Sequence, residues 1–494
     1  MEKSAVSTPR RLRASLASKE ITSKHWLLAA GMFGALTAIL SVNLLPPDYV
    51  FKAVDVKELA GIALLVLGII TISGLYLYDY RPYAFARPSL LLLLGFMFVV
   101  FTVIAKAFSI LALTNAAYWG YLIPVAFIAM LVTILFDPHL AIMLVISASI
   151  MVGYETHYNF SYTITALMGG MIAVYSTTGI SQRTELAKAG VVTGIGIAFF
   201  AITAGLLQDT TSAAFINGMI GVANGVFSAV LALGTLPFLE REFGILTPMR
   251  LLELSNPSQP LLRRLMTEAP GTYSHSIGVG NLAEAAAEAI GADSLLVRVG
   301  AYYHDIGKLK RPSFFVENQA EEESRHEKIN PQLSCLVITS HVREGVDMAR
   351  GESLPQPIID LIDQHHGKSI VTFFFHEAKK RKLKEDVCDD AFRYPGDKPH
   401  SREAAILMLA DAVEAAAKTI KDPSAVKFET LIKKIIQERI DDHQLDESDM
   451  TLADLSKVAK TFTQILSGVY HKRVAYPDLK DEDMPAKHKG AVHG

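Results

Sequence analysis

The most informative segment in the second half of the chain is Arg298-Val299-Gly300-Ala301-Tyr302-Tyr303-His304-Asp305-Ile306-Gly307-Lys308. It closes a helix that we expect to start with Ser294 as its N-cap and to run to about Asp305. Adjacent residues on a helix do not share a face, so the doublet His304-Asp305 is unusual for a core helix. At a helix end, however, both side chains can turn toward one pocket. The stretch therefore predicts a helical domain with polar chemistry where a helix ends.

On either side of this segment, the apolar spacing predicts further helices at Tyr273–Ile290, Pro331–Gly351, Pro357–His366 and Ser401–Lys421, and at least two more within Phe428–Tyr470. Gly291 is the expected residue after the end of the first of these helices. Five histidines and two aspartates fall in or at the end of these helices. These candidate metal ligands are His275, His304, Asp305, His341, His365, His366 and Asp411.

These seven residues point to a pair of metal ions. Mixed imidazole and carboxylate ligands suit first-row metals such as iron, manganese or zinc rather than calcium. Seven ligands are too many for one tetrahedral site and are about right for two ions bridged by an aspartate. Two ions about 3.5–4 Å apart form a clamp for phosphoester hydrolysis. A single histidine in a helix is usually an ordinary surface or core residue, but seven such ligands in five helices disfavour that alternative.

The composition divides the chain in two. Half of its 494 residues are hydrophobic, and the apolar blocks lie between Trp26 and Leu239. From Glu240 onward the sequence is typical of a water-soluble helical protein, so the main domain boundary falls there. The net charge of −3 provides no general positive field for binding a nucleic acid polymer. The two cysteines, Cys335 and Cys388, are expected to be reduced thiols.

The apolar half predicts eight membrane spans, at Trp26–Leu44, Leu59–Leu77, Ser89–Leu111, Tyr118–Phe136, Leu140–Tyr154, Tyr162–Tyr175, Val191–Leu207 and Ala213–Phe238. The fifth and sixth are short, and one re-entrant pair is the alternative for them. Lys106 lies in the third span near its outer end, where it can snorkel to the surface. Gly194 and Gly196 in the seventh span predict close helix packing.

Basic residues fix the expected orientation. The connections around Thr114, Thr156 and Asp209 carry no basic residue, whereas Lys52 and Lys57 are a mild exception. The opposite side has Lys3, Arg10, Arg11, Arg13, Lys19, Lys24, Arg81, Arg87, Arg183, Lys188, Arg241 and Arg250. Because basic connections stay in the cytoplasm, we expect a multi-pass protein of the bacterial inner membrane with both termini cytoplasmic.

Several segments resemble one known family. The series His275, His304-Asp305 and Asp411 has the form of the HD-superfamily signature. The wider sequence closely resembles the PgpH-type family, which are seven-transmembrane receptors with an intracellular HD hydrolase. The segments that carry this resemblance are Glu253–Pro257, Glu268–Ser276, Arg298–Lys308, Glu317–Gln319, Ser340–Val342, Gln364–Gly367 and Arg393–Pro399. The resemblance covers about Leu251 to Pro477.

The resemblance implies an all-α protein: a multi-pass transmembrane helical bundle followed by a cytoplasmic, all-helical HD-domain hydrolase. The expected domains are a cytoplasmic tail at 1–25, a membrane region at 26–239, a linker at 240–270, the HD domain at 271–477 and a disordered tail at 478–494.

The resemblance also implies hydrolysis of cyclic di-AMP to the linear pApA by two divalent ions, iron or manganese. One ion would be held by His275, His304, Asp305 and Asp411, and the other by His341, His365 and His366, with Asp305 bridging. Asp305 and Lys308 are the expected catalytic residues. Lys308, Arg393 and Tyr394 are the expected substrate contacts, although a purely structural turn at Arg393-Tyr394 is an equal alternative.

Two other functions stay open at this point. One keeps the chemistry and changes the substrate to cyclic di-GMP or a nucleotide. Members of that branch usually continue the His-His doublet with Glu, whereas Gly367-Lys368 follows here. The other is a membrane receptor that binds a nucleotide without cutting it. Family members also usually carry a large extracytoplasmic domain between the first two spans, and here only about a dozen residues, near Asn43 to Lys57, connect them. An oligomer is compatible with the sequence.

Overall fold

The computed structural model of the chain describes residues 23–45, 55–114, 117–208, 211–319, 326, 329–381 and 388–469. In these ranges the regular structure is helical, and extended residues pair only in an isolated bridge between Ile370 and Arg393. The predicted all-α class is therefore confirmed. Nearly all of the predicted amino-terminal tail, most of the connection between the first two spans and the predicted polar tail from residue 478 lie outside the described residues.

The apolar half forms eight long helices in the described residues. They are α1 (Ser23–Asn43), α2 (Val56–Tyr80), α3 (Pro88–Thr114), α4 (Val125–Leu135), α5 (Pro138–Glu155), α6 (Phe160–Thr177), α7 (Arg183–Leu207) and α8 (Thr211–Phe243). Each predicted span coincides with one of them, and a 3₁₀ segment at Ala117–Leu122 leads into α4.

Six of these helical segments are long and apolar enough to cross a membrane. They are Val56–Tyr80, Pro88–Thr114, Tyr118–Leu135, Pro138–Glu155, Arg183–Leu207 and Ala213–Phe243. The first predicted span contains a shorter apolar segment, Leu27–Asn43, and α6 is not among the six. Both α5 and α6 have 18 residues, or roughly 27 Å at about 1.5 Å per residue. Both are continuous helices, and of the two α5 alone is long and apolar enough to cross a membrane.

Glycines allow α7 and α8 to pack closely. A Cβ atom on Gly194 would lie 2.6 Å from the Val222 carbonyl oxygen, and one on Gly225 would collide with the backbone of Gly194. A Cβ atom on Gly196 would meet the side chain of Ile172 in α6. The prediction of close helix packing at Gly194 and Gly196 is confirmed, as expected for small residues between membrane helices.

The second half of the chain forms ten further α-helices in the described residues. They are α9 (Pro248–Leu254), α10 (Pro260–Glu268), α11 (Pro270–Ile290), α12 (Ser294–Tyr303), α13 (Pro331–Gly351), α14 (Gln356–Gln364), α15 (Thr372–Arg381), α16 (Arg402–Ala417), α17 (Ala425–Asp441) and α18 (Leu452–Val469). Gly291 ends α11 in the left-handed region, at φ 68°, as predicted. The expected cap of α12 was wrong by one residue, because the side chain of Asp293, not Ser294, accepts the hydrogen bond from the backbone N–H of Leu296.

The short helix α9 connects the two halves. Met249 is buried in the core of the membrane-side helices, whereas Leu251 and Leu254 are buried in a core that includes Tyr303. Arg183, at the start of α7, pairs with Glu253 on α9 at 2.6 Å. One seven-residue helix is thus shared by both cores, and it fixes the position of α12 relative to the end of the membrane helices.

Candidate metal centre

Helix ends bring the two His-containing doublets to one place. α12 ends at Tyr303, so His304 is its C-cap and Asp305 lies just beyond it. α14 ends at Gln364, with His365 as its C-cap. The backbone therefore turns at both doublets, and both members of each can face the same centre. The remaining candidate ligands lie within helices: His275 on α11, His341 on α13 and Asp411 on α16.

The candidate ligands form two adjacent groups. The ligand atoms of His275, His304 and Asp305 all lie within 4.8 Å of one another. Those of His341, His365 and His366 do so as well. Apart from His366, which is partly exposed, these residues are buried. This arrangement resembles two neighbouring cation sites more closely than one.

Asp305 lies between the two groups. Its Oδ2 atom is 3.2 Å from His304 Nε2, and its Oδ1 atom is 3.3 Å from His341 Nε2 and 3.8 Å from His365 Nε2. One carboxylate thus directs one oxygen to each group, as a bridging ligand requires. Asp411 completes the first group, with Oδ1 3.0 Å from His275 Nε2, and its Oδ2 atom lies 3.5 Å from His366 Nδ1.

Backbone carbonyls orient three of the imidazoles. The Nδ1 atoms of His304, His341 and His365 lie 2.7, 2.6 and 2.6 Å from carbonyl oxygens three residues earlier. A carbonyl only accepts, so each Nδ1 must carry the proton. The Nε2 lone pair therefore faces the centre, which is the tautomer that a metal ligand needs.

Glu414 orients the imidazole of His275 in the same way, and this role was not predicted from the sequence. Its Oε2 atom lies 2.5 Å from His275 Nδ1, and its Oε1 atom pairs with Lys418 at 2.7 Å. Glu414 follows Asp411 by three residues on α16, so both project from one helix face. That spacing was the signal that could have found it.

The charges at the centre are unbalanced without cations. Burial opposes ionisation of Asp305, but His304 and Lys308 hold its pKa well below the ordinary value. Burial would lower the pKa of His304, yet Asp305 beside it raises that pKa to about 10. Asp411 and Glu414 likewise raise the pKa of His275 against the effect of burial. The carboxylates thus favour protonated imidazoles in the first group. Metal ions would supply the same positive charge when they displace the protons.

Burial favours the neutral form of the second group of imidazoles. Burial lowers the pKa of His341, lowers that of His365 to about 3 and places that of His366 well below its ordinary value. Neutral imidazole is the form that binds a metal.

Buried polar atoms without hydrogen-bond partners test whether these residues fit metal ions. Among the described residues, His304 Nε2 and Asp305 Oδ1 are buried and have no hydrogen-bond partner. A buried polar atom left without a partner is costly and needs an explanation, such as an ion. Both atoms face the centre, so the residues fit the two metal ions that the HD family implies.

Lys308 lies at the edge of this centre. Its Nζ atom is 2.7 Å from Asp305 Oδ2 and 2.8 Å from Glu317 Oε1. Glu317 is in turn 3.0 Å from the hydroxyl of Thr272. The lysine is therefore held by two carboxylates, and the role of Glu317, like that of Glu414, was not predicted from the sequence.

The two predicted substrate contacts lie in different surroundings. The Tyr394 ring stacks on His366, with centroids 4.0 Å apart, so it borders the centre. Arg393 donates to the Lys368 carbonyl at 2.8 Å and pairs with Asp442 at 3.1 Å. These bonds hold a turn, which supports the structural alternative for Arg393.

Sequence models of known protein families match both halves of the chain. The sequence model of a family described as "7TM receptor with intracellular HD hydrolase" matches residues 56–247, and that of the HD domain matches residues 272–416. The first match contains seven of the long helices, α2 to α8.

Two similar curated proteins carry the same name. The chain is 38% identical over 433 residues to the cyclic-di-AMP phosphodiesterase PgpH of Bacillus subtilis (strain 168), covering 85% of this chain and 60% of that protein. It is 35% identical over 438 residues to the protein of that name from Listeria monocytogenes serotype 1/2a (strain 10403S), covering 87% and 60%. The chain thus spans about 60% of the length of these relatives.

A solved structure resembles the second half. The crystal structure of the L. monocytogenes PgpH HD domain in complex with cyclic-di-AMP has 42% sequence identity, a TM-score of 0.42, and covers 44% of this chain and 100% of that one. From the family matches and the curated relatives, the chain belongs to the PgpH-type family of 7TM receptors with an intracellular HD hydrolase.

Proposed function

We propose that this protein is a metal-dependent phosphodiesterase, held in the bacterial inner membrane, that hydrolyses cyclic di-AMP to pApA. The observation that carries the proposal is the position of Asp305, with one carboxylate oxygen toward each of two imidazole groups. The names of the curated relatives supply the substrate. The membrane helices supply the anchor, with both termini in the cytoplasm as the distribution of basic residues favours.

We infer that two divalent ions, iron or manganese, are held by these residues. His275, His304, Asp305 and Asp411 would bind one ion, and His341, His365 and His366 the other, with Asp305 shared. When bound, such ions stabilise negative charge on a phosphodiester and activate a water molecule for attack. The domain limits proposed above, with the HD domain at 271–477, place all seven ligands in one unit.

The protein's own residues would orient the substrate. Lys308 has one N–H beyond the two that face Asp305 and Glu317, and that N–H can donate to a phosphate oxygen. Tyr394, stacked on His366, offers a ring edge at the border of the centre for a base or ribose. Arg393 would act indirectly by fixing the turn that positions Tyr394.

Product analysis tests this proposal. The purified full chain, loaded separately with iron, manganese and zinc, is incubated with cyclic di-AMP and with cyclic di-GMP. We expect pApA from cyclic di-AMP, and no product from an Asp305→Asn variant that has lost the bridging carboxylate. Preference for cyclic di-GMP would overturn the substrate. Binding of cyclic di-AMP without release of pApA at any metal loading would favour the non-hydrolysing receptor.

A further inference from the structure

The doublet His365-His366 lies where the chain leaves α14, so these two ligands are followed by a loop and not by another turn of helix. Gly367 comes next in the left-handed region, at φ 55°, and its backbone N–H donates to the Gln364 carbonyl at 3.0 Å. The position of both imidazoles therefore depends on what holds the residues of this loop.

His366 is the ligand that depends most on the loop. In the described part of the chain, its ring makes no hydrogen bond with a backbone carbonyl, unlike the three imidazoles whose Nδ1 atoms are held in that way. Its neighbours include the stacked ring of Tyr394 and Asp411, whose Oδ2 atom lies 3.5 Å from His366 Nδ1. The orientation of this imidazole is therefore set largely by the backbone that carries it.

The backbone of Lys368, two residues after His366, is held by side chains from other elements. Its N–H donates to Gln444 Oε1 at 2.8 Å, and its carbonyl accepts from Arg393 Nη1 at 2.8 Å. Gln444 is only 1% exposed, and a Cβ atom on Gly367 would lie 2.5 Å from its Oε1 atom. Gly367 thus allows Gln444 to approach the loop closely.

Asp442 joins the two side chains that hold Lys368. Its Oδ1 atom accepts from Arg393 Nη1 at 3.1 Å, and its Oδ2 atom accepts from Gln444 Nε2 at 3.0 Å. One carboxylate therefore fixes both the donor to the Lys368 carbonyl and the acceptor of the Lys368 N–H.

The end of α17 places Asp442 and Gln444 together. Asp442 is the C-cap of this helix, and His443 follows it in the left-handed region, at φ 55°. The backbone N–H groups of His443 and Gln444 donate to helix carbonyls three and five residues earlier, at 2.9 and 3.0 Å. These two bonds form a Schellman motif, which gives the helix end a defined geometry.

We propose that Asp442 and Gln444 are positioning residues for the second metal ion, which the doublet His365-His366 helps to hold. This inference rests on the two-metal centre proposed above and extends it to a helix beyond residues 272–416, the part of the chain that the HD model matches. The two side chains fix the loop after the doublet, and the loop fixes the direction of the His366 ring.

The effect of these residues should be confined to one ion. His275 and His304 are oriented by different groups, namely the carboxylate of Glu414 and the carbonyl of Ala301. Neither group belongs to the loop after the doublet. Loss of the contacts to Lys368 should therefore weaken the second ion and leave the first ion bound.

Manganese titration of the purified full chain, followed by electron paramagnetic resonance, tests this role without measuring turnover. Two bound Mn²⁺ ions about 3.5–4 Å apart give a spin-coupled signal, whereas a single bound ion gives an uncoupled signal. Gln444→Met keeps the length of the side chain but removes the acceptor for the Lys368 N–H. This variant should bind the second ion about tenfold or more weakly, so an uncoupled signal should replace the coupled one at the Mn²⁺ concentration that just fills both sites of the unaltered protein.

Gln437→Met is the matched control. It makes the same change on the same helix, at an exposed glutamine that donates to Asp441 at 2.7 Å, and both ions should bind as in the unaltered protein. Asp442→Asn is the second variant. Its amide has one oxygen in place of two, so the bonds to Arg393 and Gln444 cannot both be kept, and the second ion should again bind more weakly. Because it preserves the size of the side chain, it provides the test if Gln444→Met does not fold.

Binding of both ions by the folded variants with unaltered affinity overturns the proposal. Equal weakening of both ions in variants that circular dichroism shows to be folded also overturns it, because that result indicates a general effect on the domain. An unaltered chain that binds fewer than two ions contradicts the two-metal centre itself and this role with it. That outcome appears without any substitution, so it is distinguishable from failure of the positioning role alone.

Discussion

Glu414 stabilises the proton on His275 Nδ1 that leaves Nε2 free for a metal. Partners of this kind change metal affinity by about 10–100-fold when they are lost. Glu414→Gln should therefore lower the affinity for the ion beside His275 by that factor and leave the fold intact. Metal titration followed by atomic emission measures the effect. Glu429→Gln, which alters an exposed surface pair with Lys433, is the control, and equal affinities in the two variants would refute the role of Glu414.

Lys308 is expected to act on turnover and not on metal retention. It contacts Asp305 from the side of Glu317, and it is not an acceptor that could bind a cation. Lys308→Ala should reduce kcat for cyclic di-AMP about tenfold or more, with both ions retained. Steady-state kinetics beside metal analysis checks this. Loss of an ion in the variant would show that the lysine maintains the site instead.

At the residue scale, the seven candidate ligands can be predicted from the sequence, but the groups around them cannot. Histidines at helix ends are visible in the sequence because a His-Asp or His-His doublet is rare in a core helix. Glu414 is one of many carboxylates three residues from another acidic group, and only its burial and its contact with His275 distinguish it. For the same reason the pairing of Arg393 with Asp442 could not be foreseen, since these residues belong to different elements.

At the scale of elements, helix α16 begins with a pH-sensitive contact. Glu403 is fully buried, and its carboxylate accepts a hydrogen bond from the Asp293 backbone N–H at 2.9 Å. Burial raises the pKa of Glu403 to about 7 from the ordinary 4.5. The folded state therefore holds a proton that the unfolded state has lost between these values, so stability falls as pH rises through this window. The slope from one such group approaches about 1.4 kcal/mol per pH unit.

The matching experiment compares the full chain with Glu403→Gln by thermal unfolding, followed by circular dichroism, between pH 5 and pH 8. The difference in stability between the two proteins isolates this group from the other titrating residues. We expect the unaltered protein to lose stability relative to the variant as pH rises. A difference that does not change with pH would contradict the assignment.

Helix positions were largely predictable because apolar spacing, prolines and glycines mark them. The predicted Pro331–Gly351 agrees with α13 at both ends, and Gly291 ends α11 as expected. The cap of α12 was misplaced because Asp293 and Ser294 are both good caps, and the choice depends on the backbone of the preceding turn. The apolar blocks similarly marked every long membrane-side helix, but they could not show which are long and apolar enough to span alone.

At the scale of the whole molecule, labelling of the two cysteines can test whether the HD half lies in the cytoplasm, as proposed. Cys388 is exposed and Cys335 is buried, and both lie in the HD half. A membrane-impermeant thiol reagent should therefore label the protein in inverted membrane vesicles. It should not label the protein in spheroplasts, which are intact cells without their outer layers. Cys388→Ser should abolish the labelling. Labelling of the intact cells would place the HD half outside and contradict the cytoplasmic location.

Contacts between distant parts of the chain could not be predicted from the sequence. The burial of Glu155 beside the end of α1, and the sharing of α9 between two cores, depend on how the helices pack. Apolar periodicity predicts which face of a helix is buried, but it does not predict which helix packs against that face.

Anomalous X-ray diffraction from crystals of the manganese-loaded chain tests the two-metal centre directly. We expect two peaks about 3.5–4 Å apart, with Asp305 between them, one beside His275 and His304 and the other beside His341 and His365. A single peak, or peaks away from these side chains, would contradict the two-metal centre.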